Sequence, residues 1–183
     1  MNTNYDQIAN LESLFVDQFD KQVHEVGLSK LGPQPGERVL QIGFGRIQSR
    51  AAIAKAVGPS GKALSFDLSE HAQRGCADTK LLPYEANSLD GIFTSYSLEW
   101  FDAPPLPTVL DDCHRVLRPG GRIVVIGLSR EHDQGPDCDP VSLRRMLTVA
   151  GFEIKDAEVR RMWAPIEIVL AVKGNEPATI DRP

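Results

Sequence analysis

Two glycines separated by one residue, Gly43 and Gly45, close the short apolar run of Val39, Leu40 and Ile42 in the stretch RVLQIGFG. A second apolar stretch, Ala63 to Phe66, ends in Asp67, about twenty positions beyond the glycine turn. A turn without side chains lets the backbone approach a ligand closely. A carboxylate at that distance along the chain can accept hydrogen bonds from both hydroxyls of a ribose. Together these residues are suited to holding a nucleoside-like cofactor. A glycine pair alone is common in turns for conformational reasons, so the elements that position it decide the matter.

Those elements follow from the spacing of apolar residues. From Tyr5 to Leu31 they recur at mostly three- and four-residue steps, which predicts one or two amphipathic helices. GPQPGE, residues 32–37, ends them and leads into the first strand. The glycine turn is followed by a helical pattern from Gln48 to Val57, the turn GPSGK, and the strand that ends at Asp67. Ile92 and Phe93 mark a further strand just after Asp90. Val109 to Leu117 has helical spacing and is stopped by RPGG, and Arg122 to Leu128 is a buried strand by its β-branched content. A helix over Pro140 to Ala150 has Asp139 as its N-cap and Gly151 as its stop. Phe152 to Trp163 and Ile166 to Val172 form two last strands joined by a turn at Ala164 and Pro165.

The chain of 183 residues is expected to be a single domain, with N-terminal helices over 1–34, a core over 35–173 and a frayed tail over 174–183. Its net charge of −5 gives no general attraction for nucleic acid or anionic lipid. No stretch approaches the ~20 apolar residues of a membrane span, and the start lacks the pattern of a secretion signal, so no stable membrane association and a cytoplasmic location are expected. Cys76, Cys113 and Cys138 are odd in number, widely spaced and without a CxxC or paired histidines. They are read as unpaired thiols, with no metal site.

The segments VLQIGFG, SFDLS, LPYEANSLDGIFTSYSLEWF and HRVLRPGGRIVVIG, in this order and in these contexts, resemble class I S-adenosylmethionine-dependent methyltransferases. The likeness is to the small-molecule branch that includes quinone-biosynthesis methylases, and it covers about Pro35 to Lys173. It implies an α/β, Rossmann-like doubly wound sheet whose last strand is antiparallel, S-adenosylmethionine as cofactor and a small apolar or aromatic acceptor. It also implies a role for each matched position. Gln41, Gly43, Phe44 and Gly45 would line the methionine end of the cofactor, Asp67 and Leu68 the ribose, and Asp78 the adenine amine. Ser95 and Tyr96 would lie at the crevice, the first against cofactor and the second against substrate. Trp100 would contribute to the acceptor pocket, and His132 would stand in the loop where substrate arrives, as a candidate base or as a solvated side chain.

The chain departs from the family in four places, one of them a shortened stretch between Leu128 and Asp139, where relatives often insert helices that cover the substrate. Gln41 replaces the usual acid of the first motif and loses the charge that would favour the cofactor's ammonium group. Ile47 stands where a third glycine is usual, so either the turn is rebuilt or that position never needed positive φ. Between Ser69 and Leu82 the chain is too short for a crossover helix and a strand, which together take roughly 15–18 residues. Most of the third strand and the helix before it are therefore expected to be missing, leaving the second strand as a sheet edge. That edge would be covered by a short remnant, by a second copy in a homodimer, or by nothing. Two functions follow: a methyltransferase, or a degenerate member of the fold acting as a binding or structural module. A nicotinamide-dependent dehydrogenase fits less well, because its fingerprint needs the third glycine.

Overall fold

In the computed structural model the described residues are 21–43, 47–66, 82–95, 106–128, 143–161 and 165–174. They form helix α1 (residues 21–31), strand β1 (Arg38–Ile42), helix α2 (Ile47–Val57) and strand β2 (Lys62–Phe66). Strand β3 (Leu89–Ser95), helix α3 (Leu106–Val116) and strand β4 (Leu117–Leu128) come next. Helix α4 (Leu143–Val149) and strands β5 (Phe152–Arg161) and β6 (Pro165–Lys173) complete the set.

The strands make one six-stranded sheet in the order β2-β1-β3-β4-β6-β5. β2, β1, β3 and β4 pair in parallel, and β6 runs antiparallel to both β4 and β5. Both faces are covered, as parallel strands require. Leu40, Ile42, Ile92, Ile123 and Val125 face Val109, Leu110, Cys113 and Val116 of α3 in one layer. Val39, Phe93, Val124 and Ile126 face Val23 and Leu31 of α1 and Ile53 and Val57 of α2 in the other. Burial raises the Cys113 thiol far above its ordinary value, so that cysteine is an apolar core residue.

α1 is tied to the sheet through Arg122. Its guanidinium donates to the Leu31 and Gly32 carbonyls, the latter at 2.7 Å, and to both Glu37 carboxylate oxygens at 2.9 and 2.7 Å. One side chain thus caps the end of α1 and fixes the approach to β1. Lys173 does the same for α3, donating to the carbonyls of His114 and Leu117 and to the Asn87 side chain.

Two boundaries differ from the sequence expectation. RPGG does not separate the helix from its strand: β4 opens at Leu117, directly after α3, and Arg118–Gly121 form an irregularity between the Leu89–Leu117 and Gly91–Arg122 pairs. Gly120, with φ of 75°, provides the conformation this needs. Pro165, expected in a turn, opens β6 opposite Arg161, at a strand end where a missing N–H is tolerated. The expected N-cap Asp139 and the Cys76 and Cys138 thiols lie outside the described residues. So does the segment 67–81, on which the missing third strand was placed. Among the described residues β2 is an end strand.

Candidate cofactor site

β1 pairs with β2 on one side and with β3 on the other, so the chain reverses its direction of travel across the sheet at β1. In open α/β sheets ligands bind at such a switch point, beyond the carboxyl ends of the strands. Here those ends are Ile42, Phe66 and Ser95. Gly43 leaves β1 with φ of 95°, and its N–H donates to the Phe66 carbonyl at 2.9 Å. This bond ties the end of β1 to the end of β2; Asp67, the next residue in sequence, lies outside the described residues. Ile47 opens α2 as its first helical residue. That settles the earlier alternative: this position takes helical backbone and has no need of glycine.

The carboxyl ends of β1 and β3 carry buried polar side chains. Gln41 is 2% exposed, and neither atom of its amide has a hydrogen-bond partner among the described residues. Thr94 is 1% exposed and its hydroxyl is likewise unpartnered among the described residues. By the alternation of the strands Gln41 belongs to the α1/α2 face, with Val39, and Thr94 to the opposite face, with Ile42 and Val125. Ser95, also buried, ends β3 opposite Ile126. Leaving a buried donor or acceptor unsatisfied costs roughly 1–3 kcal/mol per group. A ligand that both donates and accepts would recover that cost.

On the α1/α2 face the structure adds two residues that the sequence reading passed over. His24 of α1 and Ser49 of α2 are both buried, with His24 Nδ1 3.0 Å from Ser49 Oγ. The His24 ring stands edge-on to Phe93, with centroids 5.8 Å apart. One signal was available: Ser49 falls in the first turn of the helix that leaves the glycine turn. His24 gave none, because the α1 period marks Val23 beside it as the inward residue.

Of the expected site residues, the structure brings Gln41, Gly43 and Ser95 to the carboxyl edge of the sheet. Phe44, Gly45, Asp67, Leu68, Asp78, Tyr96, Trp100 and His132 lie outside the described residues. His114 sits in the last turn of α3, edge-on to Phe152 at 5.0 Å. Burial, followed by the Lys173 charge, lowers its proton affinity, as suits a packing residue.

Residues 40–125 match the methyltransferase domain family. The chain is 28% identical over 142 residues to a demethylmenaquinone methyltransferase of Oceanobacillus iheyensis, covering 69% of this chain and 59% of that protein. Among solved structures it resembles the 1,6-didemethyltoxoflavin-N1-methyltransferase of Burkholderia thailandensis, which holds 1,6-didemethyltoxoflavin and S-adenosylhomocysteine. That likeness has a TM-score of 0.61 and 21% identity, over 93% of this chain and 90% of that one. It also resembles the [4+2]-cyclase SpnF, with a TM-score of 0.65 and 18% identity, over 84% of this chain and 80% of the other. The chain spans 59%, 38% and 50% of three curated relatives that it matches.

Proposed function

We propose that this chain, which carries a class I S-adenosylmethionine-dependent methyltransferase domain, transfers a methyl group to a small apolar or aromatic acceptor. The single observation that carries the reading is the buried Gln41 amide, which has no hydrogen-bond partner among the described residues, two positions before the positive-φ Gly43. An amide offers a donor and an acceptor, and the amino-acid end of S-adenosylmethionine carries a carboxylate and an ammonium group that match them. When bound, the cofactor supplies an electrophilic methyl on a sulfonium, which an acceptor lone pair displaces in line while the bonding pair returns to sulfur.

Such a displacement asks the protein mainly for alignment and exclusion of water, and orientation alone is worth roughly 7–11 kcal/mol. Gly43 and Gly45 would let the turn close on the methionine end, and Asp67 would hold the ribose hydroxyls. Leu68 and Asp78 would border the ribose and the adenine, with Ser95 against the cofactor. Tyr96 and Trp100 would face the acceptor. The names of the demethylmenaquinone relative and the toxoflavin-binding neighbour support an acceptor of this class. The reading places the reaction in the cytoplasm, with β2 pairing to a second copy as a homodimer.

A specific observation favours the second reading, a degenerate module. The site lacks the usual acid at Gln41, and SpnF shows that the name of a protein with this fold need not be that of a methyltransferase. Incubation with methyl-labelled S-adenosylmethionine and a panel of naphthoquinols and phenols separates the two. Label transferred to an acceptor is expected. Cofactor binding with no transfer to any acceptor would favour the module. Size-exclusion chromatography of the same sample should show a dimer, and a monomer would contradict pairing through β2.

A further inference from the structure

α1 runs antiparallel to β3. At the amino edge of the sheet the Leu31 carbonyl accepts from Arg122, and the Leu31 side chain lies over Gly91. One turn earlier, Gly27 passes so close to Phe93 and Ile126 that a Cβ there would come within 3.0 Å of both. A turn earlier again, His24 meets Phe93. The amino-terminal half of α1 therefore approaches the carboxyl edge, where the cofactor turn lies. Ser49, in the first turn of α2, holds the His24 ring from the other side.

Phe93 is also the register partner of Gln41. Gln41, His24 and Ser49 are each more than nine-tenths buried, and they share a face otherwise made of Val39, Ile53, Val124 and Ile126. A polar group in that layer costs free energy unless something answers it, and the Gln41 amide has no answer among the described residues. The α2 amino terminus points its N–H dipoles toward the same crevice, which favours an anionic group there.

We propose that Gln41 and the Ser49-held His24 form one receiving site for the amino-acid end of the cofactor, binding it through neutral hydrogen bonds in place of an ion pair. The inference rests on S-adenosylmethionine being the cofactor and adds two residues, from α1 and α2, to its site. It has a consequence for selectivity. A carboxylate at position 41 would attract the cationic sulfonium of the substrate form more than the neutral thioether of S-adenosylhomocysteine, by roughly three- to tenfold at a separation of several ångströms. Gln41 removes that contribution, so the product is retained better, relative to the substrate, than it would be with an acid at this position.

Calorimetry with S-adenosylhomocysteine and with 5′-methylthioadenosine, which lacks the amino-acid end, tests this on Gln41→Leu, His24→Phe and the double variant. Melting curves confirm folding, and Gln41→Met replaces any Gln41→Leu protein that does not fold. Each single variant is expected to lose about tenfold in affinity for S-adenosylhomocysteine and less than twofold for methylthioadenosine. The double variant should lose less than the product of the two single effects, because the residues act on one group. Gln41→Glu should raise the ratio of S-adenosylmethionine to S-adenosylhomocysteine affinity at least threefold. Equal losses for both ligands, no loss for either, or an unchanged ratio in Gln41→Glu would overturn the proposal. Absence of S-adenosylhomocysteine binding by the unsubstituted protein would instead overturn the cofactor reading on which it rests.

Discussion

Arg122→Met should destabilise the folded chain by about 3 kcal/mol, the lower end of what breaking a buried pair costs. The Arg122 and Glu37 side chains are 19% and 12% exposed, so neither charge can rehydrate fully when its partner is removed. The substitution also strips the Leu31 and Gly32 carbonyls of their donor at the end of α1. At roughly 2–4 °C per kcal/mol for a chain of this size, the melting temperature should fall by about 6–12 °C. The double variant Arg122→Met/Glu37→Gln should recover part of the loss, because no uncompensated carboxylate is then left.

The pair also sets an acid limit on stability. Burial pushes the Glu37 carboxyl up, but hydrogen bonding from Arg122 and the Gln34 amide outweighs it and leaves the group below its ordinary value of 4.5. A carboxyl whose folded value is depressed contributes stability that is fully present above the unfolded value and is lost as pH falls through the folded one. Melting curves should therefore show Glu37→Gln narrowing its deficit against the unsubstituted protein as pH falls below about 4.5. A change in melting temperature below 2 °C for Arg122→Met would contradict the assigned role.

Asp67→Ala should weaken S-adenosylhomocysteine binding at least tenfold. Hydrogen bonds to an ionised group contribute roughly 1.5–3 kcal/mol each, and each ~1.4 kcal/mol is a factor of ten. In sequence Asp67 follows Phe66, whose carbonyl accepts from the Gly43 N–H. Asp78→Ala should cost less, because its assignment rests on resemblance across a shortened segment, and His132→Ala should leave binding nearly unchanged. Calorimetry on the three variants measures all three values. Intact binding in Asp67→Ala would move the ribose elsewhere without disturbing the fold.

The architecture was legible because parallel strands buried on both faces write themselves as continuous apolar runs. RIVVIG is an example, and α3 repeats its apolar residues at helical steps. The RPGG segment misled because glycine and proline mark a break in a helix and a bulge in a strand equally well, and only pairing distinguishes them. That Gln41 and Gly43 stand at the carboxyl edge of the sheet was legible from their place at the end of an apolar run. His24 and Thr94 were not, since a buried polar residue in an apolar pattern reads as noise until its neighbours in space are known. His24 is joined to the site by contacts with Ser49 and Phe93, residues distant from it in the chain, and no local spacing encodes them.

The most direct test of the account is a thermal-shift comparison of the unsubstituted protein with S-adenosylhomocysteine, S-adenosylmethionine and NAD. A ligand present at about a hundred times its dissociation constant stabilises by about 2.7 kcal/mol, which is roughly 5–11 °C here. Rises of that size with both S-adenosyl compounds at millimolar concentration, and none with NAD, are the predicted result. No shift with either S-adenosyl compound, or an equal shift with NAD, would contradict the assignment of this crevice.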